Sequence, residues 1–206
     1  MHLKLVTHLL EALQGELPGY QAHQKMLPPG RTLNAGTHES LSSKMSSVLV
    51  LLFPDGDRVF TCLMKRPSTM KNHPGQISFP GGKVEKNDVS AEMTALREAQ
   101  EEVGIDVSKI QVIGKLSDLF VEVSGFTIKP FVAWTDFKPD FQLEPGEVEE
   151  LILFPVSDFI FEENIPETEI QTSIGLLTVK YFPSKEGKIW GATAMILAEL
   201  IEILRK

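Results

Sequence analysis

Three glutamates, Glu98, Glu101 and Glu102, stand at i, i+3 and i+4 within "FPGGKVEKNDVSAEMTALREAQEEVGI", residues 79 to 105. Like charges at that spacing on a helix repel one another. A divalent cation between Glu98 and Glu102 would remove the repulsion, because Mg2+ and Mn2+ take carboxylate oxygens and keep waters for the rest of their shell. Arg97 lies four residues before Glu101 and can neutralise one acid, not three. Just upstream, Gly81 and Gly82 allow close backbone approach, and a carbonyl there offers a further hard oxygen ligand. Lys65, Arg66 and Lys71 precede that turn and could hold a phosphate chain beside the cation. Together these residue types suit attack of water on a phosphoanhydride, with a cation orienting the nucleophile and neutralising developing charge.

A helix must carry the glutamates. Asp88 or Ser90 can cap it, Gly104 can end it in a left-handed conformation, and the span is roughly residues 89 to 103. At about 100° per residue, Val89, Met93, Leu96 and Val103 fall on one face and the three glutamates nearly opposite, so the spacing predicts carboxylates that all project away from the core. Before this helix, "SSVLVLLF" and "VFTCLMKR" flank the turn "PDGD" and read as a hairpin whose second strand ends at Lys65 and Arg66. After it, "IQVIGKL", "FTIKPFVAW" and "LLTVKYF" read as strands, and "EPGEVEELILFPVSDF" as a loop entering a short strand and turn. A closing helix has Thr193 as its candidate N-cap and Ile196, Leu197, Leu200, Ile201 and Leu204 as its buried stripe. Hairpins mixed with two or three helices favour an α/β sandwich on a mixed sheet.

The remaining chain bounds these readings. The 206 residues, 42% hydrophobic, suit one domain at 46–206 preceded by a helix and connector at 1–45. Leu3, Val6, Leu9, Leu10 and Leu13 recur at helical spacing, and His8 and Glu11 interrupt the apolar run that a secretory leader needs. Residues 17 to 45 are rich in Pro, Gly, His and Ser and predict an extended connector or mobile arm. No run approaches the roughly 20 apolar residues that span a bilayer, so no membrane partner is expected. A single cysteine, Cys62, fits a reducing compartment and a cytoplasmic location. The formal charge of −8 argues against nucleic-acid binding. Its distribution is uneven: no acid lies between Arg58 and Lys83, and no base lies between Lys138 and Lys180.

Gly82, Asp88 and "REAQEEVGI" resemble the Nudix box, whose second half is matched throughout if Ala99 serves as its aliphatic position. Asp88 stands where the box has Glu, and eight residues rather than seven separate it from Arg97. Upstream, "CLMKRPSTMKNHPGQISFPGG" resembles the additional motif of coenzyme A pyrophosphatases, with Leu63, Arg66, Gly75, Phe79, Pro80, Gly81 and Gly82 in register. "IWGATAMIL" is similar to a segment near the end of that branch, so the likeness covers roughly residues 46 to 200. The resemblance implies a Nudix-type α/β/α sandwich and Mg2+ or Mn2+ held by Glu98 and Glu102, with Glu101 and a Gly81 or Gly82 carbonyl contributing. It implies that Arg97 orients Glu101, that Arg66, Lys71 and Lys65 face the phosphates, and that Glu147, with Glu150 second, supplies the general base. The implied reaction splits the pyrophosphate of coenzyme A or a derivative into 3′,5′-ADP and 4′-phosphopantetheine or its acyl form. The alternatives are another nucleoside diphosphate derivative, such as ADP-ribose or a dinucleotide, and a nucleotide-sensing module without catalysis. The oligomeric state stays open, a homodimer included.

Overall fold

The computed structural model describes residues 2–29, 31, 44–70, 73–162, 164–172 and 175–205. Its centre is strand β1 (Lys44–Asp55), whose uninterrupted apolar run is explained by burial on both faces. Alternate side chains divide cleanly: Leu49, Leu51 and Phe53 enter one core, and Val50 and Leu52 enter the other. Strand β2 (Arg58–Lys65) folds back antiparallel on β1, with Asp55 paired to Arg58 across the tight turn expected from "PDGD". Short strands β3 (Ile77–Ser78) and β4 (Gly81–Lys83) follow, pairing antiparallel with β2 and with the start of β1 respectively.

Strands β5 (Gln111–Lys115) and β6 (Leu119–Val121) both pair with β7 (Phe126–Trp134), which runs parallel to β1 from Lys44↔Phe126 to Leu52↔Trp134. Strand β8 (Glu150–Phe154) lies antiparallel to β2. One parallel pair among antiparallel ones makes the sheet mixed, as the sequence predicts. Strands β9 (Glu167–Thr172) and β10 (Gly175–Lys180) form a separate hairpin, and β11 (Phe182–Pro183) pairs with β12 (Lys188–Ile189).

Among the described residues, four α-helices complete an α/β/α sandwich. Helices α1 (His2–Leu13), α2 (Gly19–Gln24) and α4 (Gly191–Leu204) cover one face of the sheet, and α3 (Ala91–Val103) covers the other. Leu9 of α1 is fully buried. Helix α2 lies inside the stretch read as an extended connector or mobile arm; at 6 residues, with a buried face made of Gly19, Ala22 and His23, it carries no apolar periodicity to detect. Residues 32–43 of that stretch lie outside the described residues. Helix α4 begins at Gly191, so Thr193 is not its cap; the Thr193 hydroxyl donates instead to the carbonyl of Ile77, at 2.9 Å.

The face of α3 also differs from expectation. Val89 and Met93 are 92% and 51% exposed, whereas Thr94, Ala95, Ala99, Glu102 and Val103 are buried. Small residues at 95 and 99 let the helix settle close to the sheet, and the contact that this closeness permits outweighs the larger side chains at 89 and 93. Ser90, rather than Asp88, caps the helix: its side chain accepts from the N–H of Met93 at 3.2 Å.

A buried polar knot joins the other layer. The carboxylate of Glu199 on α4 is fully buried and accepts from the Gly19 N–H (3.1 Å) and the Ser117 hydroxyl (2.7 Å), with His23 Nε2 at 2.8 Å. Burial is the largest single influence and opposes ionisation, but hydrogen bonds to His23 and Ser117 outweigh it and hold the carboxyl below its ordinary range. A depressed folded-state value contributes stability above the unfolded value, roughly pH 4.3, that is lost as pH falls through the folded one. Glu199→Ala is expected to cost about 3–5 kcal/mol in urea denaturation at pH 7. The gap from wild type should narrow below about pH 4; an unchanged gap would mean that the carboxylate's charge is not what holds the knot.

Candidate functional site

Gly81 and Gly82 of β4 lie directly under α3. A Cβ on Gly81, whose φ is 154°, would fall 2.3 Å from the carbonyl oxygen of Ser47 and 2.6 Å from Cα of Val48. A Cβ on Gly82 would fall 2.3 Å from Cδ of Glu98. Side chains are thus excluded at both positions, at the first by the backbone of β1 and at the second by a carboxylate from α3. The space serves the glutamates. Oε2 of Glu102 accepts from the N–H of Gly81 at 2.7 Å, and the residue is 2% exposed. Burial pushes its carboxyl up to about 8; the Gly81 hydrogen bond and Arg66 oppose the rise, while Glu98 and Glu147 add to it. Burial raises Glu98 as well, against the pull of Arg97.

Arg97 gathers the remaining acids. Its Nε and Nη2 donate to the two oxygens of Asp88, both at 3.1 Å, and its Nη1 lies 2.9 Å from Oε1 of Glu98 and 2.8 Å from Oε2 of Glu101. Asp88 also accepts from the Thr94 hydroxyl (2.8 Å) and the Glu85 N–H (2.9 Å). Hydrogen bonding from Arg97, then from the Glu85 backbone, holds its carboxyl well below the usual range. A shorter acid at a longer spacing therefore still makes the two-pronged support of the arginine.

The three glutamates do not project alike, contrary to the expectation from their spacing. Glu102 is buried beside the stripe Ala95–Ala99–Val103, Glu98 rests over Gly82, and Glu101, 57% exposed at its side chain, leans outward onto Arg97. Among the described residues, no three His, Cys, Asp or Glu side chains are grouped as a ready-made metal cage. The donor set nevertheless fits a hard cation that keeps most of its waters. Two carboxylates withdrawn from solvent, Glu98 and Glu102, meet at one glycine turn, and burial makes their charge costly without a counter-ion.

The basic and acidic blocks of the sequence also meet here. Nζ of Lys65 lies 2.9 Å from Glu149 and 3.9 Å from Glu150. Glu149 also accepts from the N–H of Ser68 and donates its own N–H to the Lys65 carbonyl, at 3.1 and 2.9 Å. Arg66, 22% exposed at its side chain, places Nη2 3.9 Å from Oε1 of Glu102. Lys71 lies outside the described residues. Glu147 sits on an exposed turn whose negative charge bears on both Glu98 and Glu102, while Glu150 is turned to Lys65. Sequence reasoning missed Glu149; the signal available was an acid-free basic block and a base-free acidic run, which complement each other. A depression of about 170 Å³, lined by Ile105, Lys109, Phe137 and Gln142, lies at the C-terminal end of α3, not at these carboxylates.

Residues 43–172 match the family model for the NUDIX domain. The chain belongs to the Nudix family. It is 36% identical over 162 residues to the mitochondrial Nudix hydrolase 15 of Arabidopsis thaliana, covering 75% of this chain and 56% of that protein. It is 34% identical over 146 residues to the peroxisomal coenzyme A diphosphatase NUDT7 of Mus musculus, covering 69% of this chain and 61% of that one. The chain therefore spans little more than half the length of these Nudix relatives. In fold it is similar to a MutT/nudix family protein from Enterococcus faecalis, with a TM-score of 0.52, 17% identity, and coverage of 94% of this chain and 71% of that one. Nudix hydrolases generally use divalent ions such as Mg2+ or Mn2+.

The two glycines should respond differently to a methyl group. Gly81→Ala drives Cβ into the fixed backbone of β1 in a conformation that L-residues rarely adopt, and is expected to destabilise by roughly 2 kcal/mol or more. Gly82→Ala displaces only the end of a flexible glutamate, and should cost less than about 1 kcal/mol while moving the Glu98 carboxylate. Chemical denaturation of both variants, with a structure of the second, checks the pair.

Proposed function

We propose that the protein is a metal-dependent pyrophosphatase that hydrolyses the phosphoanhydride of coenzyme A or a derivative. The observation that carries this reading is the convergence of Glu98 and Glu102 on the Gly81–Gly82 turn with the Arg66 guanidinium alongside. In this reading Glu98 and Glu102 hold Mg2+ or Mn2+, with Glu101 and the Gly82 carbonyl contributing. A bound ion of this kind neutralises charge on the anhydride and makes water a better nucleophile at neutral pH. Arg97, braced by Asp88, fixes the orientation of Glu98 and Glu101. Glu147 accepts the proton as water oxygen bonds to phosphorus and the bridging P–O bond breaks; the departing phosphate takes the electron pair, giving 3′,5′-ADP and 4′-phosphopantetheine or its acyl form. Glu147 suits this role better than Glu150, whose charge is directed at Lys65.

Arg66 and Lys71 are assigned to substrate phosphates. Lys65 is assigned to holding the Glu149 loop, because Glu149 at 2.9 Å already meets its ammonium. The coenzyme A assignment is supported by the motif upstream of the box and by the likeness to the mouse coenzyme A diphosphatase. Cys62 is fully buried, and burial pushes its thiol up to about 12, so it takes no part in the chemistry. A reducing compartment such as the cytoplasm suits it. Among the described residues no helix is long and apolar enough to cross a membrane.

Glu98→Gln is expected to lower kcat by at least about a hundredfold, the scale of losing one transition-state charge stabiliser. Glu147→Gln should lower kcat by roughly 10²-fold or more with little change in KM, the size of a general-base contribution. A severe defect in Glu150→Gln beside a normal Glu147→Gln would move the base three residues along. Comparing kcat/KM for coenzyme A, dephospho-coenzyme A, ADP-ribose and a diadenosine polyphosphate tests the substrate. If ADP-ribose or the dinucleotide wins by about tenfold, a difference of about 1.4 kcal/mol in transition-state binding, the coenzyme A assignment is wrong and the pyrophosphatase assignment survives. No hydrolysis of any of them with Mg2+ or Mn2+, despite measurable binding, would favour the nucleotide-sensing module.

A further inference from the structure

The two oxygens of Glu102 have unequal partners. Oε2 is committed to the N–H of Gly81 at 2.7 Å, whereas Oε1 faces Nη2 of Arg66 at 3.9 Å, too long for a hydrogen bond. Arg66 is anchored at its base, where its N–H donates to the Gln76 carbonyl at 3.0 Å, but among the described residues its tip is weakly held: Nη1 reaches Sδ of Met70, at 4.0 Å. Among the described residues, Lys65 is engaged with Glu149, and Arg97 with Asp88, Glu98 and Glu101. Arg66 is therefore a cation that partly offsets the buried carboxylate, and it does so by charge at a distance rather than by a directional bond. A guanidinium attached in that way can be turned aside at small cost.

We propose that Arg66 and a divalent cation compete for Glu102, so that cation entry turns the Arg66 guanidinium from the carboxylate toward the phosphates of the nucleotide. This rests on the cation-and-phosphate reading above. Two positive charges a few ångströms apart in a partly buried site repel strongly, and an anionic phosphate lying between them converts that repulsion into attraction for both. Two properties follow. The protein alone holds the cation more weakly than its carboxylates would allow, and the cation and nucleotide bind cooperatively. One arginine then serves the site twice, as counter-ion to a ligand and as contact to the substrate, and links the filling of one place to the filling of the other.

The experiment is a titration of the full chain with Mn2+ in the absence of nucleotide, following free Mn2+ by its electron paramagnetic resonance signal. Arg66→Gln is expected to bind Mn2+ about threefold to tenfold more tightly than wild type, because a like charge near the ligands has been removed. Arg66→Lys, which keeps the charge, should stay near the wild-type affinity. Arg58→Gln removes an exposed charge paired with Asp158 and should also leave Mn2+ binding unchanged. If Arg66→Gln fails to fold, Arg66→Met keeps the buried stem and repeats the measurement. Equal or weaker Mn2+ binding by the folded neutral variant overturns the competition. Glu98→Gln separates this failure from a broader one: if it binds Mn2+ as well as wild type does, the cation site itself is misplaced and the inference falls with it. If Glu98→Gln loses Mn2+ while neutral Arg66 variants match wild type, only the competition is wrong.

Discussion

The contact on which the site depends is the hydrogen bond from the Gly81 N–H to the buried carboxylate of Glu102. It requires a helix seated almost against a strand, and that closeness imposes the rest. Ala95 and Ala99 keep the helix underside thin, and Gly81 lets β4 lie against β1 without a side chain. Gly82 leaves room for the Glu98 carboxylate. An unpaired carboxylate in such a place is costly, and the cost is only partly offset by one N–H and by the nearby charge of Arg66. The site is electrostatically tense for the same reason that it is geometrically well defined.

Much of this was legible in the sequence, and the failures have physical causes. The hairpin of β1 and β2 was readable because apolar runs flank a strong turn signal, and α3 because its cap and its terminal glycine bound a helical pattern. The identity of the carboxylates was readable too, but not their directions. A hydrophobic-face argument weights Val89 and Met93 by size, whereas the fold selects Ala95 and Ala99 by smallness, which rotates Glu102 inward. Helix α2 was invisible because its burial comes from Gly19, Ala22 and His23, none of them a periodic apolar signal. The Glu199 knot was equally hidden: its partners stand 82 to 180 residues away, and a glutamate within "ILAELIEIL" looks solvent-facing until something is known to meet it.

Charge patterning proved informative in an indirect way. The acid-free block ending at Lys83 and the base-free run after Lys138 suggest, each by itself, a surface for a charged ligand. In the fold they are partly spent on each other through Lys65, Glu149 and Glu150. Arg66 on one side and Glu98, Glu102 and Glu147 on the other stay grouped about the glycine turn. The neutralised pairs fix the loops that carry the remainder.

The two faces of the sheet differ in how far along the chain their key contacts reach. Glu102 finds Gly81 across 21 residues, whereas Glu199 finds His23 across 176. Closing the longer loop costs about 2 kcal/mol more in chain entropy on a logarithmic scaling. The Gly81–Glu102 contact can therefore form within a local stretch of chain, while the Glu199 knot waits for distant segments to meet. During folding the carboxylate–glycine contact would precede the Glu199 knot, and the sheet surface that the knot closes would be the one exposed to unwanted partners in the interval.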